Sequence, residues 1–356
     1  MELFLHIWTN LEYFKLLNKW FLLSTWKTDR EIASFFMKNF SWEIKDDISP
    51  QYETNFMAIR ELKKRYWNDV FKKIWWIYYW SDNCEYLLAH KSELEQATKL
   101  FKEFNEKYPP HKIRTFTFVT PYVWNKMLKN LEASLEYLNN LKIKNPIEVV
   151  INDLWVLNLI KKKFTNLKPV YGRQTHKLLK TPLIDTYWLD AHPAGDLIKN
   201  KSSQEIEEVR NKIKEGQKKF YASSEASLPI MQNFLQKNNI DRVALDYMQD
   251  RENLYNNERY GELWLDVYYP WALIMSWRLC DTSAIENPVR WNYATDEICP
   301  RTCFRYDIFY KIKTSWYKLI QRWNAGFRSE LNLDYLPKSF DKHQKNRLIF
   351  APFVTV

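Results

Sequence analysis

The sequence predicts an α/β fold in which a parallel sheet closes into a (β/α) barrel of the TIM type. Short apolar strand patterns alternate with helical patterns, at least eight strand candidates occur, and no Gly-x-Gly-x-x-Gly dinucleotide motif is present. With 356 residues, the chain is long enough for one large barrel or for two domains. We therefore expect a barrel, with room for distortion or insertions.

The first half of the chain gives well-separated strand and helix patterns. The clearest is Ile147–Ile151, which is β-branched at every position except Glu148 and is typical of a strand buried on both faces. The predicted strands here are Leu3–Trp8, Ile74–Trp80, Ile113–Val119, Ile147–Ile151 and Lys168–Tyr171. The predicted helices are Asn55–Phe71, Ser92–Tyr108, Lys126–Leu141 and Leu154–Phe164.

The second half continues the alternation with a charged interruption, Lys199–Lys219, which predicts a solvated helix or insertion. The predicted strands are Phe220–Ser223, Arg242–Asp246, Leu263–Tyr269, Ile274–Leu279 and Arg347–Phe350, and the predicted helices are Leu228–Asn238 and most of Ile308–Trp323. We divide the chain into an N-terminal segment, residues 1–70, which is a candidate for the first barrel unit, and a barrel over residues 71–356 with a charged insertion at about 195–220.

Charge and hydropathy limit the partners and the cellular location that we expect for the protein. The net charge of +10 suits an anionic partner such as RNA, a membrane surface or an acidic substrate, although solvated lysine-rich surfaces are common. No apolar run reaches the roughly 18 residues of a transmembrane helix, and no secretory signal is visible. We expect a cytoplasmic protein, in which four cysteines are not expected to form two structural disulfides.

The four cysteines are the main candidates for chemistry. Cys84 follows the aromatic strand pattern, Cys280 ends a second strand pattern, and Cys299 and Cys303 form a Cys-x3-Cys pair. Strand ends converge on one face of a barrel, where active sites are built. Four thiolates suit a [4Fe–4S] cluster or a tetrahedral zinc, while four unrelated buried thiols are the third interpretation.

Several motifs of the chain resemble the U-thirty-two peptidase family, also called collagenase-like. The resemblance covers roughly residues 70–310 and rests on strand-end segments that surround the cysteines. These are Val150-Ile-Asn-Asp-Leu-Trp-Val-Leu157, Tyr171-Gly-Arg173, Ser276-Trp-Arg-Leu-Cys280, and Cys299 to Cys303 followed by Tyr306-Asp307. Cys84 corresponds to the first cysteine of the family pattern.

The resemblance is strongest to the branch that takes part in oxygen-independent ubiquinone biosynthesis. It implies that Cys84, Cys280, Cys299 and Cys303 ligate a [4Fe–4S] cluster. It also implies oxygen-independent hydroxylation of a small aromatic or quinone precursor, or of an RNA base, and a heterodimer with a related family member. Peptidase activity is not expected, because neither His-Glu-x-x-His nor Gly-x-Ser-x-Gly occurs in the sequence.

Other strand-end residues are weaker candidates. Asn152 and Asp153 could contact a substrate or form a turn or helix cap. Arg173 and Arg278 could bind a carboxylate or phosphate, or form structural ion pairs. Acid–base candidates are Glu85, Asp246 and Tyr247, and the loop residues His176 and His192 are expected at the surface.

Glycine and tryptophan occur in unusual numbers. The chain has 5 Gly and 17 Trp, whereas average usage would give about 25 Gly. Tryptophans that stand where the family tends to have glycine or another small residue are Trp80, Trp124, Trp155, Trp277 and Trp323. We hypothesise that these are glycines encoded by a reassigned UGA codon, which UGG codons at these positions would refute.

Overall fold

The structure is a computed structural model of the chain. It describes residues 2–7, 28–31, 33–34, 50–66, 74–79, 81–107, 115–123, 125–143, 146–176, 199–221, 224–249, 251–276, 280, 282, 285, 299, 303, 308–310, 319–322 and 324–352. No helix in this part of the chain combines the length and apolar character needed to cross a bilayer.

Strands and short helices alternate along the described chain. The strands are β1 (Glu2–Ile7), β2 (Ile74–Tyr79), β3 (Thr115–Val119), β4 (Glu148–Ile151), β5 (Lys168–Tyr171), β6 (Arg242–Asp246), β7 (Trp264–Tyr269), β8 (Trp271–Ser276), β9 (Ile308–Tyr310), β10 (Leu319–Arg322), β11 (Ala325–Ser329) and β12 (Arg347–Phe350). The helices are α1 (Pro50–Tyr66), α2 (Lys91–Lys107), α3 (Leu128–Asn139), α4 (Leu154–Lys163), α5 (Ser203–Tyr221), α6 (Pro229–Lys237) and α7 (Lys338–Lys342).

Eight parallel strands close into a barrel in the order β1-β12-β7-β6-β5-β4-β3-β2. The predicted TIM-like barrel is therefore confirmed. Strand β1 lies between β12 and β2, so the segment that we separated as residues 1–70 contributes a barrel strand. All eight barrel strands fall within two residues of the predicted strand bounds.

Alternation along each strand separates the barrel interior from the layer under the helices. In β4, Val149 packs in the large core between strands and helices, whereas Val150 points into the barrel. The barrel interior takes one buried residue from each strand: Phe4, Tyr78, Val119, Val150, Val170, Ala244, Tyr268 and Ile349. The interior is thus a packed core, as in other barrels of this type.

A second sheet lies at the C-terminal end of the barrel strands. It is antiparallel, in the order β8-β11-β10-β9. Pro270 alone separates β7 from β8, and because proline has no N–H it does not continue the barrel ladder. The Leu273 amide donates to Asp246 Oδ1 (3.0 Å) and the Glu330 amide to Pro270 O (2.8 Å), which join this sheet to the barrel.

Two sequence predictions are wrong in this second half, and a third is right about the strand but wrong about the sheet to which it belongs. Ile308–Trp323 was predicted mostly helical, but β9 and β10 lie there. Phe220–Ser223 was predicted as a strand, but its first two residues end helix α5. Ile274–Leu279 was predicted as a strand whose end would lie among the barrel strand ends, but its described part belongs to β8 of the antiparallel sheet.

Candidate metal centre

The four cysteines come from two parts of the fold. Cys84 lies in the loop after barrel strand β2, where its carbonyl accepts from the Leu87 amide at the start of a single 3-10 turn (3.1 Å). Cys280, Cys299 and Cys303 lie along the chain between β8 and β9 of the antiparallel sheet. A shared site would therefore bridge the barrel and the sheet.

A small apolar cluster, which we call the thiol core, brings three of these cysteines together. Cys84 and Cys303 are among its buried members, and Cys280 packs against it with Tyr86. Its other members are Leu87, Trp271, Leu273, Ile320, Ala325 and Phe327. Because Trp271, Leu273, Ile320, Ala325 and Phe327 belong to the antiparallel sheet, one face of that sheet covers the Cys84 loop.

The electrostatic environment of Cys84 connects it with all three other cysteines. Burial raises the pKa of the Cys84 thiol well above its usual range, and Cys303, Cys280 and Cys299 raise this pKa further. A hydrogen bond from the Tyr86 backbone amide acts in the opposite direction. Cys84 is 8% exposed and Cys303 3%, whereas Cys280 and Cys299 are partly exposed. The Cys84 thiol is thus close enough to the other three to be affected by each, and two of the four thiols are partly exposed.

The chemistry of this donor set suits soft metals. Four thiolates are the ligand set of both tetrahedral zinc and [4Fe–4S] clusters. Among the described residues, no three His, Cys, Asp or Glu side chains are grouped so that they could hold one metal ion. Zinc bonds of about 2.3 Å require sulfurs about 3.8 Å apart. The thiolates of a four-iron cluster bind different irons and stand further apart.

No protein-family model, curated protein or solved structure matches this chain. The family resemblance therefore rests on the motifs quoted above.

Arg173 lies directly beside the thiol core and is 2% exposed. Its Nε donates to Asp82 Oδ2 (2.5 Å), and its terminal nitrogen donates to Asp246 Oδ1 (2.8 Å) and to the Trp271 carbonyl (3.4 Å). The guanidinium carbon lies 4.2 Å from the centre of the Tyr268 ring, inside the barrel. Of the two interpretations from the sequence, the described contacts are those of a structural ion pair.

The side chains of Gln174 and Asn152, near Arg173, connect the loops that follow the barrel strands. Gln174 donates through Nε2 to the Asp82 carbonyl (2.5 Å) and to Asn83 Oδ1. Asn152 accepts from the Gln174 amide (3.1 Å) and donates to the Thr120 carbonyl (2.8 Å). The amide of Asn152 therefore connects the loops after β3, β4 and β5, and it is buried.

Asp153 caps helix α4. Its Oδ1 accepts from the backbone amide of Trp155 at 2.8 Å, in extended backbone geometry typical of an N-cap. Trp155 itself is half exposed in the first turn of the helix. Arg278 lies outside the described residues, as do four of the tryptophans that we singled out, Trp80, Trp124, Trp277 and Trp323.

Two of the acid–base candidates, and the one histidine that the structure describes among those singled out, are buried and hydrogen-bonded. Asp246 is buried against Arg173, and buried Tyr247 donates its hydroxyl hydrogen to the Asn332 carbonyl. His176, which we expected at the surface, is buried, with Nδ1 3.2 Å from Ser224 Oγ. Ser224 Oγ also accepts from the Ala226 amide, which makes it a turn cap. Glu85 is partly exposed beside Cys84, and His192 lies outside the described residues.

Two residues beside the site were missed in the sequence. Asp82 and Asn83 immediately precede Cys84, and both are buried and hydrogen-bonded to each other (2.6 Å). The signal was present, because Ser-Asp-Asn-Cys is a polar run directly after an apolar strand. From the sequence alone this run is typical of an ordinary turn. Its partner Arg173 is 91 residues away, so no local pattern indicates that Asp82 is buried.

Proposed function

We propose that this chain binds a [4Fe–4S] cluster through Cys84, Cys280, Cys299 and Cys303. We propose further that it takes part in oxygen-independent hydroxylation of an aromatic or quinone precursor, as the resemblance to the UbiV-like branch of the U-thirty-two family suggests. The observation that carries the proposal is the position of Cys84, a barrel-loop residue that packs in one apolar cluster with Cys303 and Cys280 of the sheet segment. Cytoplasmic location and pairing with a related family member belong to the same proposal.

The location of the thiols is consistent with a catalytic role. They lie at the C-terminal end of the barrel strands, the end at which TIM-barrel enzymes build their active sites. When bound, a [4Fe–4S] cluster supplies one-electron transfer. The partial exposure of Cys280 and Cys299 would leave one side of the site open to an electron donor or substrate. A purely structural cluster or zinc would be better served by four buried thiols.

The surface around this end favours a small aromatic substrate over RNA. Three large apolar side chains are exposed just after the neighbouring strands β3 and β4: Tyr122 in the loop after β3, and Leu154 and Trp155 in the first turn of helix α4. Two described charges beside Tyr86 of this site have opposite signs, Glu85 and Lys126. In contrast, the lysine triplet Lys161–Lys163 ends helix α4 and so lies at the opposite end of the barrel. RNA binding at the site would call for basic residues there.

Metal analysis tests the first half of the proposal. Protein purified without oxygen should contain about four irons and four sulfides per chain, with the brown absorbance of a cluster. Each single Cys→Ala change at the four positions should lower both contents. Ser134→Ala, which removes a buried hydroxyl that donates to the Ala89 carbonyl elsewhere in the barrel, is the matched control and should leave them unchanged. Colourless protein loaded with zinc would make zinc the metal and overturn the cluster.

A cell-based comparison tests the second half. Cells of the native host that lack the gene and grow without oxygen should accumulate a precursor that lacks one ring hydroxyl, as measured by mass spectrometry of extracted quinones. The wild-type gene should restore the product, and the Cys84→Ala gene should not. A hydroxylated nucleoside that disappears from the RNA of these cells, with unchanged quinones, would favour RNA hydroxylation instead. Unchanged quinones and RNA would contradict both hydroxylation proposals.

A further inference from the structure

Bringing four ligands to one cluster poses a positioning problem in this fold. One ligand, Cys84, belongs to a barrel loop, and three belong to the segment attached to the antiparallel sheet. Ligand positions must be held to within a fraction of an ångström by the residues that surround them. Something must therefore fix the Cys84 loop relative to strand β8, on which that segment begins.

The contacts of Arg173 join these two parts directly. Through Asp82 it holds the loop two residues before Cys84, and through the Trp271 carbonyl it reaches the first residue of β8. Its second carboxylate partner, Asp246, also accepts from the Leu273 amide of β8 (3.0 Å), so it connects Arg173 to the sheet a second time. The hydrogen bonds of one guanidinium therefore connect the Cys84 loop with β8, in addition to the apolar packing of the thiol core.

The shape of the guanidinium explains why the residue is an arginine. Its planar fork offers donors in several fixed directions, so it can serve Asp82, Asp246 and a carbonyl at once. A lysine ammonium keeps the charge but has no fixed fork. Arg173 and both carboxylates are nearly or fully buried, so water cannot replace a lost contact.

We propose that Arg173 is a positioning residue that holds Cys84 against the cysteines of the sheet segment and thereby shapes the metal site. The inference rests on the proposed metal-binding function. It assigns Arg173 no contact with substrate or reacting atoms. It differs from a general stabilising role, because it concerns the relative placement of two ligand-bearing parts.

Arg173→Lys tests the inference, with Arg347→Lys as the matched control. Arg347 is another buried barrel arginine, and it pairs with Glu148. Both lie two residues before the interior residues Ile349 and Val150 of their strands, and so point away from the C-terminal end of the barrel where the thiol core lies. Both variants should lose some thermal stability. In the folded fraction, Arg173→Lys should retain the metal about 10-fold more weakly or worse, whereas Arg347→Lys should retain it like the parent. Electron paramagnetic resonance of the reduced cluster should change only in Arg173→Lys.

A second measurement uses metal-free protein and so is independent of the identity of the metal. Modification of Cys84 by a thiol reagent, quantified on its peptide by mass spectrometry, should be slow in the parent and in Arg347→Lys but faster in Arg173→Lys. Equal metal retention and equal Cys84 reactivity in both variants would overturn the positioning role. A parent that carries zinc would refute the cluster but still allow this test, because zinc retention can be compared in the same variants. A parent without any metal would overturn both proposals.

Discussion

At the scale of single residues, Gly172 shows how tightly the loops around Arg173 are packed. A Cβ atom at this position would lie 2.1 Å from Asn152 Oδ1 and 2.6 Å from the Ile151 carbonyl oxygen. Both distances are far below contact distance, and the second partner is backbone. Glycine is therefore required at this position because the end of β4 leaves no room for a side chain, and not because of an unusual backbone angle.

Gly172→Ala should destabilise the protein by about 1–3 kcal/mol, because Asn152 and the end of β4 must move to admit a methyl group. Gly216→Ala is the matched control, since nothing lies within 4 Å of a Cβ there and Gly216 is inside helix α5. This control should stabilise by about 0.5–1 kcal/mol, as alanine is the better helix former. Urea unfolding measures both. A Gly172→Ala protein as stable as the parent would contradict the packing around Asn152.

At the scale of elements, the barrel interior is divided into layers of different chemistry. The middle layer is mainly apolar or aromatic. Two residues earlier along the strands lies a polar layer, with Arg347 paired to Glu148 and Arg242 to Asp266 (2.5 Å). Thr117 donates to Glu148 (3.1 Å), and Tyr78 of the middle layer donates to Asp266. A buried polar layer is tolerated because its charges are paired and hydrogen-bonded.

The polar layer predicts a defined response to acid. Burial opposes ionisation of Glu148, but Arg347 and Arg242 outweigh it and lower the pKa of this carboxyl to about 2. An unfolded glutamate titrates near pH 4.3. Because the folded pKa is the lower one, this contribution to stability is complete above about pH 4.3 and is lost as the pH falls towards 2. Burial raises the pKa of Asp266, which acts in the opposite sense and offsets part of the loss.

Glu148→Gln should therefore cost about 3 kcal/mol at pH 7 and should flatten the decrease in stability between pH 4 and pH 2. Urea unfolding at a series of pH values measures both effects. Glu132→Gln, which removes the exposed ion pair with Lys163, is the control and should change stability by less than about 1 kcal/mol. If the two variants show the same pH profile, the polar layer does not control acid stability.

The sequence predicted the barrel strands well and the antiparallel sheet poorly, for physical reasons. A barrel strand such as β4 is buried on both faces, so its sequence is apolar on both sides of the strand, with Glu148 of the polar layer as the exception. Strands β9 and β10 are only three and four residues long and depend on cross-strand partners such as Phe327. Ile308–Trp323 therefore lacked a local strand signal, and its mixed apolar and lysine pattern imitated a helix.

The sequence allowed us to predict the metal-ligating cysteines of the candidate site, but not the residues that hold them in place. Four cysteines are visible in any reading of the sequence. The partners of Arg173 are not, because Asp82, Asp246 and the Trp271 carbonyl reach it only through the fold. Side-chain networks of this kind depend on tertiary contacts that no local pattern encodes.

At the scale of the whole molecule, the metal would join the barrel to the antiparallel sheet. A ligand that binds only the folded state stabilises it in proportion to the logarithm of its concentration over its dissociation constant. Removal of the metal by a chelator should therefore lower the melting temperature and make residues near 280–303 the first site of proteolysis. Calorimetry and mass spectrometry of the fragments measure these effects. Equal melting temperatures with and without metal would contradict a bridging site.

The closure of the barrel by β1 and β12 sets an order of events during synthesis on the ribosome. Strand β1 emerges first but finds its second neighbour only after residues 347–350 have been made. At about 5–20 residues per second, the roughly 200 residues between Cys84 and Cys280 delay the second cysteine by about 10–40 s. During this interval Cys84 is without its partner thiols. A metal that needs all four thiols could therefore be loaded only after Cys303 has been made, and Cys84 would be open to oxidation until then.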